Sequence, residues 1–252
     1  MSDQEQPLVA HLVELRNRLL KSVLVVLALF LSMFYFANDL YLILVEPLST
    51  LLPDTGNMIA TGVASPFLVP FKMTMVLAIL LAVPFILYQI WSFIAPGLYQ
   101  HEKKFGIPLL ISSVILFYSG IAFAYFVVLP LVFGFFTGTG PEGISILPDI
   151  SNILNFILKI FFAFGIAFEI PIATFLMVLT GITTVKSLSE KRPYIFLGCF
   201  VVGMLVTPPD VISQTVLALP MYSLFEVGVL FSRMIKRRDD DEAENEENSI
   251  AP

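Results

Sequence analysis

The sequence predicts an all-α polytopic membrane protein: six transmembrane helices, both termini cytoplasmic, kinked into a concave bundle. Three observations carry that reading. Hydrophobic residues make up 57% of the chain and the mean hydropathy is +0.88, too apolar for a domain that presents a polar surface to water. Twelve of the fourteen lysines and arginines fall in four short segments, 16–21, 103–104, 186–192 and 233–238, while the loops at 38–65, 130–152 and 207–210 hold none. Basic loops resist translocation and stay cytoplasmic, so this sorting sets both topology and orientation. The stretches between are apolar runs of helical length, without the alternating polarity of a membrane β-strand.

Taken in order, the chain reads as a cytoplasmic N-terminal segment (1–18), a membrane domain (19–232) and a basic-then-acidic tail (233–252). After Pro7, residues Val9, Leu12, Leu15 and Leu19 share one helical stripe, and His11, Glu14 and Arg18 share another. An amphipathic helix lying at the interface before the first span is expected there. Spans are expected at 19–37, 66–90, 107–129, 153–180, 193–206 and 211–231, judged against the ~20 residues that cross ~30 Å of hydrocarbon. The first run is longer than a signal-peptide core and lacks a small-residue cleavage site, so it stays as a span.

The fifth span is the odd one. From Tyr194 to Val206 it covers roughly 20 Å at the helical rise. It then meets Thr207-Pro208-Pro209-Asp210, where neither proline offers an amide hydrogen. Spans five and six are expected as a stubby hairpin beside locally thinned bilayer. Pro47 in the first outer loop, with Pro208, Pro209 and Asp210, is read as structural. Pro84, Pro108, Pro130, Pro171 and Pro220 predict kinks. No internal repeat is visible, which withholds support from an inverted-repeat transporter. Seven carboxylates crowd Asp239–Glu247 and account for the net charge of −6, so the tail is expected to be solvated and disordered.

Enzyme templates fit poorly. His11 and His101 both lie in segments read as cytoplasmic, leaving no histidine beside a buried serine. A clustered His/Glu ligand set and a Gly-x-x-x-x-Gly-Lys loop are both missing from the sequence. Cys199 is the only cysteine, which excludes an internal disulfide and a cysteine-pair metal site. No catalysis, cofactor, metal or nucleic-acid partner is expected. Glu169, near the middle of the fourth span, is the telling interior residue, because a carboxylate at that depth faces protein or a watered cavity. It reads either as a functional group or as a protonated acid bonded to a neighbouring helix. Lys72 and Lys159 are placed to snorkel outward. Thr207 and Gln214 put polar groups near the outer end of the hairpin, and Glu226 lies where Arg233 can share its environment. At the cytoplasmic face, Glu14 and Glu102 read either as solvated acids with basic neighbours or as a docking pair.

Several strings, taken together, resemble a family. His11-Leu12-Val13-Glu14-Leu15-Arg16-Asn17-Arg18-Leu19 and Phe93-Ile94-Ala95-Pro96-Gly97-Leu98-Tyr99-Gln100-His101-Glu102 are similar to motifs of the TatC family, the multispanning subunit of the twin-arginine protein translocase. Tyr125-Phe126 with Pro130, Phe164-Gly165, Phe168-Glu169 with Pro171, Lys191-Arg192-Pro193-Tyr194, Thr207-Pro208-Pro209-Asp210, Ser213-Gln214 and Leu224-Phe225-Glu226 continue the resemblance in order. It covers roughly residues 8–232. Asn17 departs from it, standing where relatives often carry a basic residue, and the acidic tail lies outside it.

The resemblance implies a receptor in the bacterial cytoplasmic membrane for signal peptides with two adjacent arginines, exporting folded cargo with the proton-motive force. It implies that Glu14 and Glu102 hold the arginine pair, with Arg16 beside them and Phe93 and Leu98 against the signal's apolar segment. Guanidinium groups suit that site, because they bind carboxylates through two parallel hydrogen bonds. The resemblance further implies that Glu169, Met204, Thr207 and Gln214 meet small single-span partners of the TatA and TatB types. Membrane lipid and further copies of this chain complete the partners expected. The alternative reading is an ion-coupled small-solute transporter with Glu169 as its proton site.

Overall fold

The structure, a computed structural model, describes residues 5–42, 59–94, 106–138, 149–208 and 210–250. Helix α1, Glu5–Met33, runs into a 3-10 turn at Phe34–Phe36. Pro7 sits in its first turn, where a missing amide costs nothing. No glycine or further proline follows before Met33, and the amphipathic lead-in and the first span are therefore one helix, where an interfacial helix ahead of a span was expected. Helix α2, Ser65–Ile94, contains Pro70 and Pro84.

Two prolines shape the middle of the chain. Helix α3, Gly106–Phe123, is joined to α4, Leu129–Gly138, by a π-helical stretch at Ala124–Val128. The ring of Pro130 would collide with the carbonyl of Phe126, four residues back, and the widened turn absorbs that clash. Helix α5, Ile150–Ala167, breaks at Phe168–Glu169 before α6, Ile170–Leu179. There Pro171 cannot donate to the carbonyl of Ala167, and Glu169 N–H bonds three residues back to Ile166 O at 3.0 Å. Gly181, at φ +71°, reverses the chain after α6, a left-handed conformation that costs glycine nothing. Short α7, Val185–Glu190, is capped by Thr184, whose hydroxyl accepts from Ser187 N–H at 3.2 Å. Helices α8, Arg192–Val206, and α9, Val211–Ile250, complete the chain.

Among the described residues, five helices are long and apolar enough to cross a membrane: His11–Leu42, Ser65–Phe93, Gly106–Phe136, Ile150–Leu179 and Val211–Met234. Arg192–Val206, with 15 residues, is the short sixth. Each expected span coincides with one of them. Helix α9 continues to Ile250, where a disordered tail was expected. Pro220 is its last proline and Gly228 its last glycine, and Glu, Lys, Arg and Ala beyond them are good helix formers.

The chain forms two compact units, Met1–Ile115 with Leu129–Ile160, and Leu116–Val128 with Phe161–Pro252. In the first, α1 and α2 run antiparallel. Phe30 meets Phe71 edge-on at 5.1 Å towards one end, and His11 stacks on Phe93 at the other. Ahead of α5, Asp149 ties two loop segments, with Oδ2 accepting from Thr61 N–H and Oγ1–H and Oδ1 accepting from Ser151 and Asn152 N–H.

In the second unit, helices approach where side chains are absent. A Cβ on Gly120 would lie 2.6 Å from Phe164 O, and one on Gly228 would lie 2.0 Å from Thr174 Oγ1 and 2.8 Å from Pro171 Cα. Leu188, Phe225 and Val229 form a buried cluster with Ile170, Val185 and Ile195 around it, gathering α6 to α9 into one core.

Candidate functional site: the junction of α1 and α2

The polar side chains of the first unit meet where α1 begins and α2 ends. On α1, His11, Glu14 and Arg18 share a face because spacings of three and four bring side chains onto one side of a helix. His11 lies against Phe93 with ring centroids 4.1 Å apart and planes 22° from parallel. Arg18 donates from Nε and Nη2 to Glu14 Oε1, at 2.9 and 2.6 Å. The same guanidinium reaches α2, donating Nη1 to Gln89 Oε1 at 3.3 Å and Nη2 to the Ser92 carbonyl at 3.1 Å. Glu14 remains 40% exposed and open to a second partner. Arg16 points away from this cluster's bonds, donating to its neighbour Asn17.

A cavity of about 630 Å³ opens between the two helices directly beside these groups, lined by Leu15, Leu19, Val23, Ile86, Ile90 and Phe93. Arg18, Ser22 and Gln89 are its polar members. An apolar slot with a few placed polar groups is the usual form of a binding site. The chain that leaves α2 carries Leu98 and Glu102, and these two residues lie outside the described residues, as does Pro47.

A second polar junction lies in the other unit, where α8 begins and α9 passes it. Arg192 Nη2 donates to Glu226 Oε2 at 2.7 Å, and Tyr222 O–H donates to Glu226 Oε1 at 2.7 Å. Glu226 thus pairs with Arg192, and Arg233 shares Glu226's surroundings through its charge, as its spacing predicts, while donating its hydrogen bond to Ser189 Oγ at 2.9 Å. The partner across the helix pair is closer than the one two turns along.

The α8–α9 hairpin gathers three of the predicted interior residues. Gly203 faces Gln214, where a Cβ would meet Gln214 O at 3.4 Å. Thr207 is buried, its hydroxyl donating to Gly203 O at 2.9 Å, whereas Met204 is half exposed. Pro208 is exposed at the turn, and Pro209 lies outside the described residues. Asp210 caps α9, with Oδ1 accepting from Ser213 N–H at 2.6 Å. Glu169 caps α6 at the α5–α6 junction. It lies near the middle of the Ile150–Leu179 span, as the sequence predicts, at the kink that Pro171 two residues on signals. Missed altogether were Gln89 and Ser92, whose role depends on a partner 71 to 74 positions away. Among the described residues, no group of three or more His, Cys, Asp or Glu could hold a metal ion.

Among the described residues, five long apolar helices and a shorter sixth define a polytopic membrane protein. Residues 10–220 match the family described as Sec-independent protein translocase protein (TatC). The chain is 58% identical over 239 residues to the Sec-independent protein translocase protein TatC of Azotobacter chroococcum mcd 1, covering 95% of this chain and 94% of that one. It is 54% identical over 231 residues to the protein of the same name from Escherichia coli strain K12, covering 92% and 90%. A crystal structure described as the twin arginine translocase receptor TatC superposes with a TM-score of 0.80 at 37% identity, covering 89% of this chain and 98% of that one. The chain belongs to the TatC family of Sec-independent protein translocase proteins. It is a translocase component and not an enzyme.

Proposed function

We propose that this chain is the signal-receptor subunit of a twin-arginine translocase in the bacterial cytoplasmic membrane. In this reading both termini are cytoplasmic, and folded cargo is exported with the proton-motive force. One observation carries the proposal: the 11–18 and 89–93 segments, far apart in sequence, are bonded together at a single helix junction. Glu14 belongs to that junction, and Glu102 lies on the chain that continues from it. Two carboxylates there accept two guanidinium groups, each through parallel hydrogen bonds. Exposed pairs are worth only ~0–1 kcal/mol each, so affinity also needs apolar contact. The slot between α1 and α2, lined in part by Phe93, receives the signal's apolar segment, and Leu98 is assigned to the same contact.

Photo-crosslinking of a twin-arginine signal peptide tests this. The paired substitution Glu14→Gln with Glu102→Gln abolishes the crosslink while leaving the assembled complex intact. Crosslinking at the wild-type level would contradict the site.

The same reading gives the interior polar residues to partner helices. Glu169, and Gln214 with Met204 at the α8–α9 hairpin, receive single-span subunits of the TatA and TatB types, and further copies of this chain join the complex. Hydrogen bonds across membrane helices contribute ~0.6–2 kcal/mol each, enough to bias docking. Glu169→Ala and Gln214→Leu therefore slow export of folded cargo; wild-type rates in both would assign these residues to structure alone.

A further inference from the structure

The carboxylate proposed to receive a signal arginine already holds a guanidinium from its own chain. Arg18 donates twice to Glu14 Oε1, and no described group donates to Oε2. Nor is Arg18 held by Glu14 alone. Gln89 Oε1, on a side chain 7% exposed, and the Ser92 carbonyl keep it at the end of α2.

We propose that Arg18 is a specificity-determining residue, a resident guanidinium that makes the site prefer arginine pairs to lysine pairs. The proposal rests on the reading that Glu14 receives a signal arginine. Any incoming cation must share Glu14 with Arg18 or displace it. An arginine brings a planar fork that takes Oε2 and then Oε1, while Arg18 falls back on Gln89 and Ser92 and stays satisfied. A lysine brings a compact, strongly hydrated charge without a fork, and matches neither the geometry nor the number of bonds it must replace. The pair is partly solvent-exposed, at 23% and 40% for the two side chains, and such pairs open readily. Discrimination between two ligands is a difference of affinities, and a competing group already in the site is one way to create it. Without Arg18, Glu14 is a bare carboxylate that accepts either cation.

The test is a binding titration on the full-length purified chain in detergent. Two labelled signal peptides are compared, identical except for Arg-Arg or Lys-Lys. Arg18→Gln tightens Lys-Lys binding about fivefold, the weight of one surface ion pair, and leaves Arg-Arg binding within about twofold. The ratio of the two affinities therefore shrinks. Arg18→Lys, which keeps the charge and loses the fork, gives an intermediate ratio and serves as the second variant. Gln89→Leu loosens the same helix contact but leaves Arg18 on Glu14, and both peptides shift together. Parallel loss of both peptides in Arg18→Gln, with the ratio unchanged, would make Arg18 a structural bolt and overturn the proposal. Glu14→Gln is the separate control: Arg-Arg binding at undiminished affinity in it brings down the site itself, whatever Arg18 does.

Discussion

At the scale of single residues, the carboxylates of this chain act by joining segments that are distant in sequence. Asp149 accepts from Thr61 and from the first turn of α5, 88 positions away. The Thr61 amide first, then its hydroxyl and the Asn152 and Ser151 amides, hold the Asp149 carboxyl below its ordinary value of 3.8, against the opposing effect of burial. A depressed folded-state value means that this contribution is complete above the ordinary value and is lost as pH falls through the folded one. Protection of the Thr61 and Ile150 amides, measured against their intrinsic exchange rates, is therefore high at neutral pH and is lost as pH falls below 3.8. Asp149→Asn gives lower protection throughout, with that acid transition missing. Acid-independent protection in the unsubstituted protein would show that Asp149 does not hold the loops. Nothing in the sequence marked this tie, because Thr61 and Asp149 belong to no shared motif. The Glu14–Arg18 pair was legible from its spacing of four, whereas its anchors on α2 were not. Spacing along one helix likewise placed Arg233 in Glu226's surroundings, where its charge acts, and tertiary packing added the Arg192 pair that the sequence did not show.

At the scale of elements, the closest helix contacts are set by glycines. Gly228 on α9 lies against Pro171 and Thr174 of α6, with no room for a methyl group. Gly228→Ala therefore costs about 1–3 kcal/mol through overpacking, read as a lower Tm in detergent. Gly198→Ala, inside α8 where nothing lies within 4 Å, leaves Tm unchanged or slightly raised, alanine being the better helix former. Equal Tm values for both would mean that α6 and α9 are not in close contact. The cap on α9 gives a second expectation. Asp210→Ala loses about 1 kcal/mol, and Asp210→Asn, an equally good cap, retains it. A Tm for Asp210→Ala equal to that of Asp210→Asn would contradict the capping role. The helices themselves were legible, since apolar runs of that length have few alternatives. Where they deviate was only half legible. Pro130 and Pro171 announced kinks but not their form, which depends on how each freed carbonyl is accommodated: a π-helical stretch before Pro130 and a tightened turn at Phe168–Glu169 before Pro171.

For the molecule as a whole, six spans and their lengths followed from hydropathy, including the short one at Arg192–Val206. The docking face was less accessible. Its residues lie on two segments about 75 positions apart, and single-sequence reasoning left Glu14 and Glu102 as solvated acids until the motifs were read together. The slot between α1 and α2 could not be read at all, because its walls are ordinary lipid-compatible leucines and isoleucines. The account depends on the two motifs sharing the cytoplasmic side of the membrane. The direct measurement uses a Cys199→Ala background with single cysteines at positions 11 and 101, labelled by a membrane-impermeant maleimide in oriented vesicles. Both cysteines are expected to react only when the reagent is on the cytoplasmic side. Labelling of positions 11 and 101 from opposite sides would contradict the account.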